Sequence, residues 1–200
     1  EILRRSAERN PQNYRAPQTK FIHSEELKTL YLEMLQEAGA HLMLYTFVSD
    51  VIVENGTVKG VITESKAGRQ AIFAKTVVDA TGDGDVAAKA GAEFFLGRET
   101  DHKMQPMTLM FKVGGVDLEH AALPGSFETL VQTEKGELQH LAKQILPHPA
   151  GHVLLYENVL PGVVTVNMTN ATDVDGTDPK DLTKATILCR KQIGKIVDFL

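Results

Sequence analysis

Between Asp79 and Asp85 the chain reads Asp-Ala-Thr-Gly-Asp-Gly-Asp, which gathers carboxylates and glycines into one turn-sized stretch. Glycine adds no side chain and accepts positive φ, so a ligand can approach the backbone closely there. Gly82-x-Gly84-x-x-Ala87 also fits the G-x-G-x-x-G/A pattern of a dinucleotide turn. Chemistry counts against that match. A diphosphate would sit at the helix N-terminus, where Asp83 and Asp85 already stand and would repel it. The same carboxylates suit the start of a helix, where they cap amides and complement the dipole.

Elsewhere the chemically capable residues are scattered. His23, His41, His102, His120, His140, His148 and His152 form no His-Glu-x-x-His pattern, and no G-x-S-x-G nucleophile turn occurs. Cys189 is the sole cysteine, which excludes an internal disulfide and a C-x-x-C redox pair. Its neighbours Ile187, Leu188 and Ile193 mark it as a buried structural thiol. Asp173-x-Asp175-Gly176 begins like a calcium loop. The pattern then needs Gly where Asp178 stands and Glu where Lys184 stands, so no metal is expected.

The composition bounds the class. The chain has 200 residues, 42% of them hydrophobic and 24% charged, as in an ordinary globular protein. A net charge of −5 argues against nucleic acid or an anionic membrane as partner. No apolar run approaches the roughly 18 residues of a membrane span. A cytoplasmic location and no membrane are therefore expected. Arg4, Arg5, Arg9, Arg15 and Lys20 make the first twenty residues locally basic, as in a solvated arm that is helical and then looped.

Several elements must position the glycine-aspartate stretch. Thr76, Val77 and Val78 are β-branched and read as a buried strand leading into it. Val86 to Ala90 suit a short helix stopped by Gly91. Upstream, Ser24 as N-cap and apolar residues Leu27, Leu30, Tyr31, Met34, Leu35 and Ala38 predict an amphipathic helix ended by Gly39. Residues 41–45 read as a short buried strand. Residues 48–54 and 57–64 read as strands joined by Asn55-Gly56, the turn pair that accepts positive φ at both positions. A third strand over residues 70–74 completes a β-meander.

The word Val-Val-Asp-Ala-Thr-Gly-Asp-Gly-Asp-Val-Ala-Ala over residues 77–88 resembles the A-T-G segment of FAD-dependent oxidoreductases with two dinucleotide folds. These are the glutathione-reductase-like and fumarate-reductase-like flavoproteins, and the extended form is most similar to a bacterial group of FAD-dependent oxidoreductases. The resemblance is strongest over residues 39–117 and again over residues 166–181. It implies that the backbone of Ala80, Thr81, Gly82 and Asp83 lies near FAD. The diphosphate would be held by a glycine turn absent from these residues. Val48 matches the valine whose backbone contacts the adenine in such enzymes. The lack of a catalytic constellation fits, because a flavin carries the redox chemistry itself.

The expected fold is α/β (α+β). Residues 1–95 would form part of a Rossmann-like FAD-binding domain with its meander and A-T-G return strand, and residues 96–200 a mixed-sheet substrate domain. Gln105-Pro106-Met107-Thr108 resembles the family's entry into that domain. Residues 107–113 read as a strand able to line a substrate cavity. Residues 117–146 read as mainly helical, with Ser126 as a cap. Residues 152–158 and 163–168 read as a hairpin, and Asp178-Pro179 as the start of a long helix. Asn167, Met168 or Arg98 could face the flavin. The resemblance implies the middle of a longer enzyme that transfers hydride between a small organic substrate and flavin, these residues alone being inactive and poor at holding FAD. Two alternatives stay open: an NAD-dependent dehydrogenase using the Gly82–Ala87 pattern, with Glu99 or Asp101 at the right distance for its ribose, and a binding module without cofactor. Substrate, catalytic residues and oligomeric state are not legible.

Overall fold

The computed structural model describes residues 1–9 and 22–200. Arg15 and Lys20 of the basic stretch lie outside the described residues. The chain divides into two compact units, one of Glu1–Leu30 with Leu96–Leu200 and one of Tyr31–Phe95.

Helix α1 (Ile2–Arg9) opens the chain. Arg4 and Arg5 both donate to the Glu1 carboxylate, and Arg4 also pairs with Glu8. Those guanidinium hydrogen bonds hold the Glu1 carboxyl down at about 2. Helix α2 (Ser24–Glu37) begins at Ser24 itself, with Leu27 N donating to His23 O. Ser24 therefore lies inside the helix rather than capping it. Gly39 ends α2 as expected, with the Ala40 amide reaching back to Leu35 O. Leu30 is fully buried and Leu27 and Met34 are half-buried, yet Tyr31, Leu32 and Leu35 remain exposed, so the apolar face is covered in part.

In the Tyr31–Phe95 unit, β1 (Phe47–Glu54), β2 (Thr57–Ser65) and β3 (Gly68–Phe73) form an antiparallel meander in the order β1-β2-β3. The hairpin turn falls at Asn55 (φ 48°) and Gly56 (φ 71°), the double positive φ of a type I′ turn. The β1–β2 register slips between Val48 and Asp50. There the Ser49 hydroxyl donates to Ile62 O at 3.3 Å.

Two expected strands in this unit are absent. Residues 41–45 make no ladder, and Leu42, Met43, Leu44 and Tyr45 are exposed. Residues 76–80 make none either, and Val78 is 84% exposed. β-propensity becomes a strand only where a neighbouring edge accepts the backbone, and among the described residues none does. Helix α3 (Asp85–Lys89) follows, with Val86 buried. Gly91 ends it as read from the sequence.

In the other unit, β4 (Phe111–Val113) is shorter than the expected run over residues 107–113. The region 117–146 is not mainly helical. Ser126 organises a turn, its hydroxyl accepting from Glu128 N, and Phe127 and Leu130 are exposed, so no helix forms there to bury them. A hairpin of β5 (Gln132–Thr133) and β6 (Gly136–Glu137) comes next. Only α4 (Leu138–Ile145) is helical, and its cap is Glu137, which accepts from Gln139 N and His140 N.

Strands β7 (Leu155–Glu157) and β8 (Val164–Val166) form the expected hairpin and extend to β4 in the order β4-β8-β7. Every ladder among the described residues is antiparallel, so the anticipated mixed sheet is replaced by small antiparallel sheets. Helix α5 (Pro179–Phe199) starts on an Asp178 cap that accepts from Lys180 N. Ala142, Leu146, Val153, Val164, Val166, Met168 and Ile196 pack into one core. Cys189 is buried with Ala171 and Ala185, as its neighbours indicated.

Two glutamines join helix to extended chain. Gln139 of α4 donates to Val153 O at 2.8 Å and accepts from Val153 N at 2.9 Å. Gln192 of α5 does the same for Asn170, at 2.8 Å on both sides. Each primary amide stands in for the peptide group of a neighbouring strand.

Candidate functional site

The turn from Asp79 to Asp85 is built by its first carboxylate. Asp79 Oδ1 accepts from Thr81 N at 3.0 Å and from the Thr81 hydroxyl at 2.8 Å. Its Oδ2 accepts from Ala87 N at 2.8 Å, inside α3. Thr81 Oγ1 in turn accepts from Asp85 N at 2.9 Å. These bonds, led by that from Ala87, hold the Asp79 carboxyl below its ordinary range. The capping role assigned from sequence to Asp83 and Asp85 therefore belongs to Asp79 and Thr81. Gly84 occupies the N-cap position without any side-chain bond. The signal for it was local: Asp followed two residues later by Thr is the pattern of a side-chain-closed turn.

The corner leaves backbone open. Gly82 has φ 91° and Gly84 φ 73°, and a Cβ at either would meet nothing within 4 Å. Ala80, Thr81, Gly82 and Asp83 are all exposed. The amides of Gly82, Asp83 and Gly84 make no hydrogen bond among the described residues. By contrast, the amides of Asp85 and Ala87 are taken by Thr81 and Asp79. A diphosphate seated on α3 would have to displace a carboxylate. Gly82-x-Gly84-x-x-Ala87 thus has the sequence of a phosphate turn and the filled amides of a structural one.

Val48 sits in β1, one of the two edge strands of the meander, opposite Thr63 and beside the register slip. An edge strand turns alternate backbone groups away from its partner, where another molecule can pair with them.

The remaining candidates separate. Met168 is 2% exposed within the hydrophobic core, so it cannot meet a cofactor. Arg98 is engaged by Asp101, both bonds at 2.7 Å. Lys103 pairs with Asp173 in the same region. Asn167 is half-buried, and its Oδ1 accepts the Thr108 hydroxyl at 2.9 Å. That bond orients the amide and turns its NH2 away from Thr108.

Asn167 lies at a bulge. Phe111 pairs with Val166 and Met107 with Ala171, so Thr108, Leu109 and Met110 lie opposite Asn167, Met168, Thr169 and Asn170. The Thr169 hydroxyl repairs the interrupted ladder, accepting from Leu109 N at 2.7 Å and donating to Leu109 O at 3.0 Å. Asn170 Oδ1 is buried without a partner among the described residues.

Asp175 accepts both the amide and the hydroxyl of Thr177, which accounts structurally for the calcium-like stretch. Among the described residues no group of His, Cys, Asp or Glu is placed to hold a metal ion, and no helix is long and apolar enough to cross a membrane.

The model of a family described as FAD dependent oxidoreductase matches residues 1–200. No curated protein and no solved structure matches the chain.

Proposed function

The chain belongs to the FAD-dependent oxidoreductase family, and from that premise we propose that the Asp79–Asp85 corner lies against FAD in the cofactor-loaded protein. Flavin-dependent redox chemistry is the function this membership carries. Three finer points are ours: the contacting residues, a small organic substrate, and hydride transfer between that substrate and the flavin.

The observation that carries the reading is the open backbone of Gly82 to Gly84, with amides unpartnered among the described residues and free space where a Cβ would stand at Gly82 and Gly84. A flat or ribose-bearing part of a nucleotide can approach such a surface. The neighbouring Asp83 and Asp85 disfavour the phosphates, so the corner suits a flanking contact and not the diphosphate grip. Ala80, Thr81, Gly82 and Asp83 would supply backbone contacts, and Val48 would meet the adenine through the outward groups of the β1 edge. The Asp79 carboxylate and the Thr81 hydroxyl shape the turn and need not touch the cofactor. Bound FAD supplies the hydride-accepting ring, a chemistry no side chain offers. In this reading residues 1–95 serve the cofactor as part of a Rossmann-like domain, and residues 96–200, which hold the antiparallel β4-β8-β7 sheet, serve the substrate.

The test is the absorption spectrum of the full-length protein, followed by FAD titration of the apoprotein. Visible flavin bands that weaken when Gly82 is replaced by Val support the reading. A protein that purifies without flavin and takes none up on titration refutes it.

A further inference from the structure

Gly97 closes a tight loop. A Cβ there would stand 2.2 Å from His102 O, so only glycine permits the approach, and the Gly97 φ of 72° suits glycine as well. Across the loop the Arg98 amide donates to Lys103 O at 3.2 Å and the His102 amide to Arg98 O at 2.8 Å. Two cations, Arg98 and Lys103, are thereby set side by side at the base of one loop. Asp101 grips Arg98 through Nε and Nη2 and also accepts the Lys103 amide. Arg98 Nη1 is left without a partner among the described residues.

Both cations line a cleft of about 780 Å³, within the range of about 300–1,000 Å³ usual for small-molecule sites. Leu96, Met104 and Pro106 give the cleft an apolar side, and Gln105 and Thr172 add neutral polar groups. Among the described residues Asp173 is the one carboxylate in this wall, and Asp101 stays outside it. Asp173 holds Lys103 Nζ at 2.5 Å from a left-handed backbone, φ 57°. Lys103 and Asp173 also line a second cleft of about 470 Å³, where Asp175 and Asp181 join them. The ion pair therefore stands in the wall between a cation-rich cleft and an acid-rich one. Its side chains are 51% and 62% exposed, and an exposed pair contributes little to stability. A solute anion can therefore compete for Lys103.

We propose that the cation-rich cleft binds the oxyanion, carboxylate or phosphate, of a small molecule with an apolar body, and that Asp173 is the internal placeholder which this anion displaces from Lys103. The anion takes Lys103 Nζ and the free Nη1 of Arg98, while Leu96 and Pro106 meet the apolar body. A guanidinium fork and an ammonium are the usual receptors of such groups. Asp175 and Asp181 repel an anion from the other cleft. All of these residues belong to the Leu96–Leu200 part of one compact unit. Identification of the molecule as the enzyme's substrate rests on the flavin reading above, whereas its binding does not.

The experiment is calorimetric titration of the full-length protein with benzoate, phenyl phosphate and, as the uncharged control, benzyl alcohol. Saturable binding of at least one anion is expected, about tenfold or more tighter than the alcohol and weakening as salt rises. The stronger of the two identifies the oxyanion. Lys103→Gln should weaken that anion about tenfold. Asp173→Asn keeps the size, removes the competing charge and should tighten it about two- to fivefold, the worth of an exposed pair. The opposite signs separate this outcome from misfolding, which would weaken binding in both variants. Failure of both anions to bind overturns the proposal, as does binding indifferent to Lys103→Gln or not tightened by Asp173→Asn. A flavin-loaded protein that binds neither anion loses only this site, and a flavin-free protein that binds one loses only the flavin reading.

Discussion

Asp79 Oδ2 receives the amide of Ala87 at 2.8 Å across a loop that contains both glycines of the corner. The carboxylate thereby closes the turn on itself and fills the amides at which a diphosphate would sit. Replacement by Ala removes three acceptor bonds at once. Asp79→Ala should weaken FAD retention about tenfold, as expected for lost charge-assisted bonds that hold the turn. Stopped-flow flavin release measures it. Unchanged release would show that Asp79 shapes nothing the cofactor uses.

The same residue predicts a pH dependence. Its folded pKa is lowered, first by the Ala87 amide and then by Thr81. A lowered carboxyl contributes stability that is complete above its unfolded value, about 3.9, and is lost as pH falls through the lower folded value. The corner should therefore hold at neutral pH and loosen only in acid below about pH 4. Comparison of acid unfolding in wild type and Asp79→Asn isolates the contribution, and the variant's curve should be flatter there.

Gln192 is 2% exposed and binds both backbone groups of Asn170. Gln192→Leu keeps the bulk but strands a donor and an acceptor. At about 1–3 kcal/mol for each unsatisfied group, a loss of about 2–6 kcal/mol is expected in urea unfolding. A loss below about 0.5 kcal/mol would mean that water replaces the clamp.

On the same helix, Ile196 is wholly buried and Ile187 is 51% exposed. Ile196→Ala should cost about 2–5 kcal/mol, the range for truncation in a packed core. Ile187→Ala should stay within about 1 kcal/mol. The contrast, read from paired denaturation curves, tests which face of α5 the core covers.

Cys189 is 2% exposed. In the native protein a thiol reagent such as DTNB should react no faster than the protein opens, with full reaction on adding denaturant. Rapid native labelling would contradict the burial.

Local chemistry carried much of this in the sequence. Asn55-Gly56 specified its hairpin, because few residues tolerate positive φ in succession. Asp178-Pro179 specified the start of α5, because the cap and the fixed proline φ act within one turn. The Ala-Thr-Gly-Asp-Gly-Asp word likewise pointed to the flavin family before any coordinate.

Other features needed the tertiary structure, since their partners are remote in sequence. Residues 76–80 have the composition of a strand and find no edge to pair with among the described residues. Phe127 and Leu130 looked like a helix face, but the chain bends at Ser126 and becomes a hairpin. Met168 seemed free to face a ligand until the packing of β8 and α5 enclosed it. The glutamine clamps and the Thr169 repair join residues 14, 22 and 60 positions apart. Turn and cap signals act within a few residues and can be read from order alone; burial and pairing depend on which distant surfaces meet, and folding decides that.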